Sequence, residues 1–256
     1  MSKVIVKKEK GYAIISMLNE KKRNALDATL SKALIDAAEE IAHDNEIRSV
    51  ILTGENHIFC AGADLNEFSE AIDKTALEHY ENMKIDVRVF DITKIMGKPV
   101  IAAVEGYAFG GGFGLVCGTH IVISSPSCKF GMPELSLGIF PYVIFPYVKK
   151  AIGLRNAIAL ALTRKIIDAK EAKEMGLIYE ISDNPLDRAK EIAESIASTS
   201  PIVFKLAMDA INTVYNDDID KSKELALLRI VNFSAKDLRI GIEAFKNKTK
   251  PLWKGE

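Results

Sequence analysis

A cluster of glycines between residues 106 and 114 is the part of the sequence whose spacing most directly suggests chemistry. The apolar run Val100–Val104 before it has the composition of a buried strand, and the segment from Leu115 to Thr119 after it is able to form a helix. Because glycine has no Cβ, backbone N–H groups in such a turn can approach a ligand closely. A strand, a glycine-rich turn and a helix N-terminus together favour the binding of negative charge. The pattern predicts a site that stabilises an anion, either bound or formed during a reaction.

Three other glycine motifs do not fit this cluster. A Walker phosphate loop requires Gly-Lys followed by Ser or Thr, and no Lys follows Gly111 or Gly112. The dinucleotide motif G-x-G-x-x-G fails because its third glycine would fall on Leu115 or Cys117. The nucleophile elbow G-x-S-x-G does not occur in the chain. From the motif alone, glycines that only allow a helix to pack closely on a strand remain an alternative.

The composition excludes several classes of protein and site. The 256 residues are 48% hydrophobic, which is typical of one large globular domain with or without an appendage. The 34 Lys and Arg are balanced by 35 Asp and Glu, so the chain lacks the basic footprint of a nucleic-acid-binding protein. The cysteines and histidines show no metal-ligand or disulfide spacing, and we expect no metal site. The N-terminus does not resemble a signal peptide, and no apolar run is long enough to cross a bilayer. We therefore expect a cytoplasmic protein with no membrane span.

The elements that must position the glycine cluster are predicted from hydrophobic periodicity. Alternating runs on either side of Lys10-Gly11 predict a β-hairpin, and short buried strands are expected at 50–52, 100–104 and 121–124. Asp27 is expected to cap a first helix, and a second helix is expected over 76–96, stopped by Lys98-Pro99. A capping box at Asp168 predicts a further short helix that ends at Gly176. Strands that alternate with helices predict an α/β fold on a mostly parallel sheet.

The last part of the chain carries only helical signals. Four helices are predicted to open near Pro185, Pro201, Ile219 and Ser234. A helical tail after an α/β core is often an assembly element or a lid. We therefore predict a core over residues 1–197 and a helical region over residues 198–256.

Seven segments, in this order along the chain, resemble the enoyl-CoA hydratase/isomerase (crotonase) family. They are RNAL at 23–26, FCAGADL at 59–65, KPVIAAV at 98–104, GYAFGGG at 106–112, FGMPEL at 130–135, AKEAKEMGL at 169–177 and the C-terminal stretch 244–254. The resemblance implies a crotonase-like spiral of ββα units with a C-terminal helical trimerisation region, in a homotrimer or dimer of trimers. It also implies an acyl-CoA thioester as substrate. Coenzyme A would then enter as part of the substrate, with no tightly bound cofactor.

The resemblance further implies which residues bind the thioester. Its enolate oxygen would accept hydrogen bonds from the backbone N–H groups of Ala63 and Gly111, and both residues are small and stand in glycine-containing turns. The implied contacts to coenzyme A come from Lys22, Arg23, Ala25, Ala61, Asp64, Leu65 and Lys254. Within this set Asp64 is expected to act as a structural hydrogen-bonding residue, and ordinary exposed side chains are the alternative for the lysines.

Glu134 is the residue expected to move the proton. Hydratases of the family use two glutamates, and the resemblance puts the second at Glu134 and the first at Gly114, where the carboxylate is missing. Hydration needs a base for water and an acid for the α-carbon. Moving a double bond from C3 to C2 needs one carboxylate, which takes a proton from C2 and returns it at C4. A Δ3,Δ2-enoyl-CoA isomerase is therefore predicted, with the pKa of Glu134 raised by its apolar neighbours.

Several alternatives stay open at this point. The chain could be an enoyl-CoA hydratase that uses Glu134 with a bound water or a carboxylate from elsewhere, or a non-catalytic CoA-binding subunit. Thioester hydrolysis, ring formation and decarboxylation use the same oxyanion hole in the family. Glu134 alone also fits a capping or surface carboxylate after Pro133. Tyr142, in a bulky stretch expected to line the acyl pocket, is either a helper in proton transfer or a packing residue.

Overall fold

A computed structural model describes residues 3–79, 87–199, 207–208, 210–211 and 236–252 of the protein. Within these ranges strands and helices alternate as far as residue 181, and the elements after it are helical. The strands form two sheets. They are β1 Val4–Glu9, β2 Tyr12–Met17, β3 Ser49–Gly54, β4 Val100–Val104, β5 Tyr107–Phe109, β6 Ile121–Ser124, β7 Lys129–Gly131, β8 Ile167–Asp168 and β9 Glu180–Ile181.

The larger sheet has the strand order β1-β2-β3-β4-β6-β9. β1 and β2 form the hairpin predicted at Lys10-Gly11, and the other neighbours in the sheet run parallel. Residues Tyr12–Met17 and Val100–Val104 are buried throughout, as is typical of parallel strands covered on both faces. The predicted α/β fold on a mostly parallel sheet is confirmed.

The helices cover this sheet and connect its strands. They are α1 Ala28–Ala42, α2 Leu65–Ala71, α3 Ile92–Met96, α4 Gly111–Gly118, α5 Phe145–Ile152, α6 Leu154–Thr163, α7 Ala169–Glu174, α8 Pro185–Ala197 and α9 Lys236–Lys246. Asp27 caps α1 as predicted, because its carboxylate accepts a hydrogen bond from Leu30 N at 2.8 Å. The capping box at the start of α7 is also present, with Asp168 and Glu171 each bonded to the other's backbone N–H.

The second predicted helix, over 76–96, has its predicted C-terminal end but is interrupted inside. α3 ends at Met96, just before Gly97 in the left-handed region with φ 61° and the expected stop at Lys98-Pro99, and a 3₁₀ turn at Val89–Asp91 precedes α3. Residues 80–86 of the predicted second helix lie outside the described residues. α4 begins at Gly111, inside the glycine cluster, because glycine N–H groups can open a helix without side-chain conflict.

The described part of the C-terminal region is helical, as predicted. α8 begins at Pro185, and α9 agrees with the helix expected near Ser234. Residues 207–208 and 210–211 are helical, while the rest of the helix expected near Pro201 and all of the one expected near Ile219 lie outside the described residues. The division at residues 197 and 198 stays a prediction.

The smaller sheet, β5-β7-β8, is the part of the fold that the sequence patterns do not predict. β5 and β7 are parallel, and β7 and β8 are antiparallel. Two isolated bridges extend this sheet, from Ala108 to Cys60 and from Ala63 to Leu26. The sheet and its bridges therefore bring five segments of the chain together.

Candidate active site

Backbone hydrogen bonds hold the glycine cluster, the 60–64 loop and the loop after β7 in fixed relative positions. They run from Leu26 N to Gly62 O (2.7 Å), from Phe109 N to Cys60 O (3.1 Å) and from Gly110 N to Gly131 O (2.9 Å). Each bond joins two main-chain groups at the end of a short strand or bridge. The geometry of the site is therefore set by the smaller sheet rather than by side chains.

Asn24 fixes the segment that leads into the 60–64 loop. Its buried side-chain Nδ2 donates to Ile58 O at 2.7 Å and to Glu55 O at 3.2 Å, and its Oδ1 accepts from Asn19 N at 2.8 Å. Its φ of 56° lies in the left-handed region, which Asn tolerates better than most residues. The RNAL segment thus positions the site through Asn24, a role that the sequence analysis did not assign.

Two predicted oxyanion donors lie at the centre of this arrangement. Within the described residues, the N–H groups of Ala63 and Gly111 donate no hydrogen bond to another backbone group. Gly111 is the first residue of α4, where N–H groups have no partner inside the helix. A Cβ on Gly111 would lie 3.9 Å from Ala63 N and 2.9 Å from Leu26 Cδ1, so the two residues are close neighbours. The structure therefore brings both predicted donors together.

A glycine with a positive φ immediately precedes each of these donors. Gly62 has a φ of 107°, and its N–H points to the buried Sγ of Cys60 at 3.5 Å. Gly110 has φ 49° and ψ −121°, a combination that is essentially restricted to glycine. These two conformations aim the following N–H groups, those of Ala63 and Gly111, in directions that a residue with a side chain would not reach without strain.

Glu134 faces the glycine cluster from a 3₁₀ turn, Glu134–Leu137, that ends at Gly138. A Cβ on Gly110 would lie 3.0 Å from Glu134 Oε1, so the carboxylate stands beside the residue that precedes Gly111. Its Oε2 is buried with no hydrogen-bond partner among the described residues. Burial penalises the charged form and raises the pKa of Glu134 to about 7, with its own backbone N–H opposing the shift. The carboxyl group is therefore able to take up and release a proton near neutral pH.

A mostly apolar cavity of about 260 Å³ opens between these groups. Among the described residues it is lined by Ala61, Gly62, Ala63, Leu65, Phe68, Phe90, Gly110, Gly111, Pro133, Glu134, Ser136, Leu137, Ile139, Phe140, Pro141, Tyr142, Val143, Ile144 and Phe245. Glu134 is the one ionisable carboxylate in this described lining. Residues 140–144 of the bulky stretch line the wall, as predicted, and the ring of Tyr142 lies 5.2 Å from that of Phe140.

The wall beside Gly114 is closed by hydrocarbon. A Cβ on Gly114 would have Ile144 Cγ2 as its nearest atom, followed by Ile144 Cβ at 2.8 Å and Phe90 Cε1 at 3.0 Å. The place of the missing glutamate is thus taken by the side chains of Ile144 and Phe90. The sequence offered no signal for this contact, because the residues come from three separate elements.

The residues predicted to bind coenzyme A fall into three groups. Ala61 and Leu65 line the cavity. Ala25 is buried and directly precedes the bridge residue Leu26 in the sequence. Lys22 pairs with Asp64 and lies 3.4 Å from Asp27, and the hydrogen bond to Asp64 raises the pKa of Lys22. Lys254 lies outside the described residues.

Asp64 and Arg23 have distinct roles in the local structure. Asp64 caps α2, since its carboxylate accepts from Asn66 N at 2.9 Å, in agreement with the expected structural role. Arg23 is exposed, adopts a left-handed φ of 53°, and accepts a hydrogen bond from Ala61 N through its carbonyl at 3.1 Å. Its carbonyl is thereby part of the frame that holds the 60–64 loop.

The C-terminal helix α9 packs beside the cavity. Leu238 and Ile242 form a buried cluster with Ile139, against which Phe68 and Tyr142 pack. Arg239 pairs with Asp73 at 2.5 Å. The side chains of this helix therefore contact both α2 and the loop that follows Glu134.

Among the described residues, no group of three or more His, Cys, Asp or Glu side chains has an arrangement that would hold a metal ion. In the same ranges, none of the helices combines the length and the apolar character that crossing a membrane requires.

Sequence comparison relates the chain to proteins of similar length. Residues 7–256 match the model of a family described as enoyl-CoA hydratase/isomerase. A short-chain-enoyl-CoA hydratase of Clostridium acetobutylicum is 33% identical over 258 residues, which cover 98% of this chain and 97% of the relative. A putative enoyl-CoA hydratase of Thermus thermophilus is 30% identical over 251 residues, covering 96% and 99%. The similarity thus extends over nearly the whole of each chain.

Solved structures give the same relationship. An enoyl-CoA hydratase from Bacillus anthracis aligns with a TM-score of 0.77 and 31% identity, covering 99% of this chain and 100% of that chain. An enoyl-CoA hydratase/isomerase from Xanthobacter autotrophicus aligns with a TM-score of 0.88 at 23% identity, covering 96% and 93%. The second likeness, at its lower identity, concerns the fold alone.

Proposed function

The chain belongs to the enoyl-CoA hydratase/isomerase family and has its crotonase fold, and from this premise we propose that it moves the double bond of a 3-enoyl-CoA thioester to C2. The observation that carries this proposal is the single carboxylate, Glu134, in the described lining of a cavity that also contains Ala63 and Gly111. One group that shuttles a proton is sufficient for isomerisation. A reaction that adds water needs a second.

The first step in this proposal is the removal of a proton from C2. The ionised carboxylate of Glu134 takes that proton, and the electron pair left behind moves into the thioester, whose oxygen becomes negatively charged. The N–H groups of Ala63 and Gly111 donate hydrogen bonds to this oxygen. A donor of this kind typically contributes about 10²–10³-fold to the rate. The second step returns the proton from Glu134 to C4, and the double bond then lies between C2 and C3.

The substrate in this proposal carries an uncharged acyl chain. Among the described residues that line the cavity there is no Lys or Arg, and aromatic and aliphatic side chains dominate. A charged group buried there would lack a partner, which is costly. Coenzyme A would lie toward the surface formed by Lys22, Arg23, Ala25, Ala61, Asp64 and Leu65, with Lys254 as a further candidate. No tightly bound cofactor takes part, and the proposed assembly is a homotrimer or a dimer of trimers.

Hydration of a 2-enoyl-CoA is the second candidate function. It is favoured by the names of the relatives, because the proteins of C. acetobutylicum and T. thermophilus are both described as hydratases. In this reaction a water molecule would add its oxygen to C3 and a proton to C2. Glu134 would then need to serve both steps, or another group would have to enter the site.

The test is a paired assay of the wild type and Glu134→Gln on 3-enoyl-CoA and 2-enoyl-CoA thioesters of several chain lengths. We expect the wild type to isomerise the 3-enoyl substrate without net hydration, and the variant to lose about 10²–10⁴-fold in kcat. Glu70→Gln, which changes an exposed glutamate of α2, is the matched control and is expected to keep full activity. Faster hydration of the 2-enoyl substrate by the wild type would refute the isomerase proposal in favour of the second candidate.

A further inference from the structure

We propose that Ile144 is a specificity-determining residue, whose side chain fills the space beside Gly114 and so prevents the site from adding water to its substrate. This inference rests on the proposed function, because it concerns which of two reactions the same site performs. It assigns the exclusion of hydration to a residue of the cavity lining that immediately precedes α5.

The first support is the contact between Ile144 and Gly114. With Ile144 Cβ at 2.8 Å and Phe90 Cε1 at 3.0 Å, a Cβ on Gly114 would be closer to its neighbours than real Cβ atoms are. Ile144 is 4% exposed and Phe90 7% exposed, and both line the cavity. A longer side chain on Gly114 therefore has no room while Ile144 is present.

The second support is the rigidity of Ile144. Its carbonyl accepts a hydrogen bond from Val148 N at 3.0 Å, in the first turn of α5, and Phe145 N donates to Pro141 O at 2.9 Å. The backbone on both sides of the residue is thus fixed. A β-branched side chain also has few χ1 rotamers available. Ile144 cannot easily turn away to admit water.

The third support comes from what water would need. Hydration forms a bond from the water oxygen to C3, passes a water proton to a base, and uses the former π electron pair to bind a proton at C2. A water held for this purpose requires two to four polar partners. In the described lining, polar side chains are supplied by Glu134, Ser136 and Tyr142, and the wall formed by Ile144 and Phe90 offers none. Isomerisation consumes no water, so the apolar wall formed by Ile144 and Phe90 suppresses hydration and leaves isomerisation unaffected.

A stability cycle tests the steric part of this inference without any substrate. Gly114→Ala is introduced into the wild type, into Ile144→Ala and into the control Val143→Ala. Val143 lines the same cavity but supplies none of the three atoms nearest to a Cβ on Gly114. We expect Gly114→Ala to raise the equilibrium constant of unfolding about tenfold in the wild type and in the control. In Ile144→Ala we expect a clearly smaller increase, because the nearest atom, Ile144 Cγ2, is removed while Ile144 Cβ at 2.8 Å remains. Equal effects in all three backgrounds would overturn the inference.

The catalytic part is tested by the ratio of 2-enoyl-CoA hydration to 3-enoyl-CoA isomerisation. We expect Gly114→Glu combined with Ile144→Gly to raise this ratio at least about tenfold, part of the 10²–10⁴-fold that a well-placed acid or base contributes. Gly114→Glu combined with Val143→Gly, the control, should show no such rise in the ratio, because Ile144 still fills the space that the glutamate would need. A folded double variant at Gly114 and Ile144 with the wild-type ratio would overturn the role of Ile144 in specificity.

The outcome is separable from that of the proposed function. The wild-type ratio alone decides whether the protein is an isomerase, whereas the change of the ratio in the double variant decides the role of Ile144. If the double variant does not fold, the alanine cycle decides: coupling between Gly114 and Ile144 supports the inference, and additivity refutes it.

Discussion

Replacing Glu134 by Gln is expected to change how the stability of the protein depends on pH. Burial raises the pKa of Glu134 from 4.5 to about 7, so the folded protein retains a proton that the unfolded chain has already released. Well below pH 4.5 the carboxyl group is neutral in both the folded and the unfolded state, so its ionisation does not lower the free energy of unfolding. As the pH rises from 4.5 to about 7, the unfolded state loses the proton first and is favoured. The wild type is thus destabilised by this group above pH 7, and the Gln variant is not.

The size of the effect follows from the shift. About 2.5 pKa units correspond to roughly 3 kcal/mol over the full range, at 1.4 kcal/mol per unit. Roughly 2–3 kcal/mol of this should appear between pH 5 and pH 8, because the unfolded carboxyl group is already partly ionised at pH 5. Any constant effect of the substitution on packing cancels when the two pH values are compared.

The assay is urea unfolding of the wild type and Glu134→Gln at several values between pH 5 and pH 8, at equal subunit concentration. The free energy of unfolding of the variant should gain on that of the wild type as the pH rises. Glu174→Gln, which changes an exposed glutamate at the end of α7, is the control and should give a curve parallel to the wild type. Parallel curves for Glu134→Gln would refute the reasoning, because they would mean that the carboxyl group is hydrated in the folded protein.

The remaining predictions concern the rate and the scaffold. Gly110→Ala should lower kcat about 10²-fold, because a Cβ there would stand 3.0 Å from Glu134 Oε1 in a backbone conformation suited to glycine; an unchanged kcat would contradict this geometry. The logarithm of kcat/KM should fall with unit slope below about pH 7, where Glu134 becomes protonated, and a limb near pH 4.5 would argue against a buried base. Tyr142→Phe should leave the isomerisation rate unchanged, and a large loss would give its hydroxyl a part in proton transfer. Asp168→Ala should lower the free energy of unfolding by about 1 kcal/mol without altering kcat, since it removes only the cap of α7.

The larger sheet could be predicted apart from its two-residue strand β9, because its other strands carry a continuous signal. Tyr12–Met17 and Val100–Val104 are long enough and apolar enough to be recognised, and Asp27 marks the start of α1 by its side-chain chemistry. The smaller sheet could not be predicted, because strands of two or three residues, such as Ile167–Asp168, are too short to show a period. Its existence depends on hydrogen bonds between segments that are distant in the chain.

The candidate site also contains features that could be predicted from the sequence and features that could not. The glycine cluster could be found because its residue types are unusual for their surroundings, and Glu134 could be found through the resemblance of its segment to the family. The contact of Ile144 with Gly114 could not, since an isoleucine near a proline carries no local sign of what it will meet in the folded protein. The pairing of Lys22 with Asp64 is a similar case: each residue was proposed for coenzyme A, and only the fold brings the two charges together. Tertiary neighbours decide what such side chains do.

The main-chain frame around Ala63 and Gly111 has a consequence for how this protein can change over evolutionary time. Point mutation replaces side chains and leaves every peptide N–H in place, proline excepted. Under the proposed mechanism, the capacity to stabilise an enolate is therefore inherited with the fold, as long as the glycines at 62 and 110 keep their turns. Substitutions at the cavity wall would then change the reaction while the proposed oxyanion donors stay in place. A new reaction in this family would then need new side chains at the cavity wall, while the backbone N–H groups of Ala63 and Gly111 stay as they are.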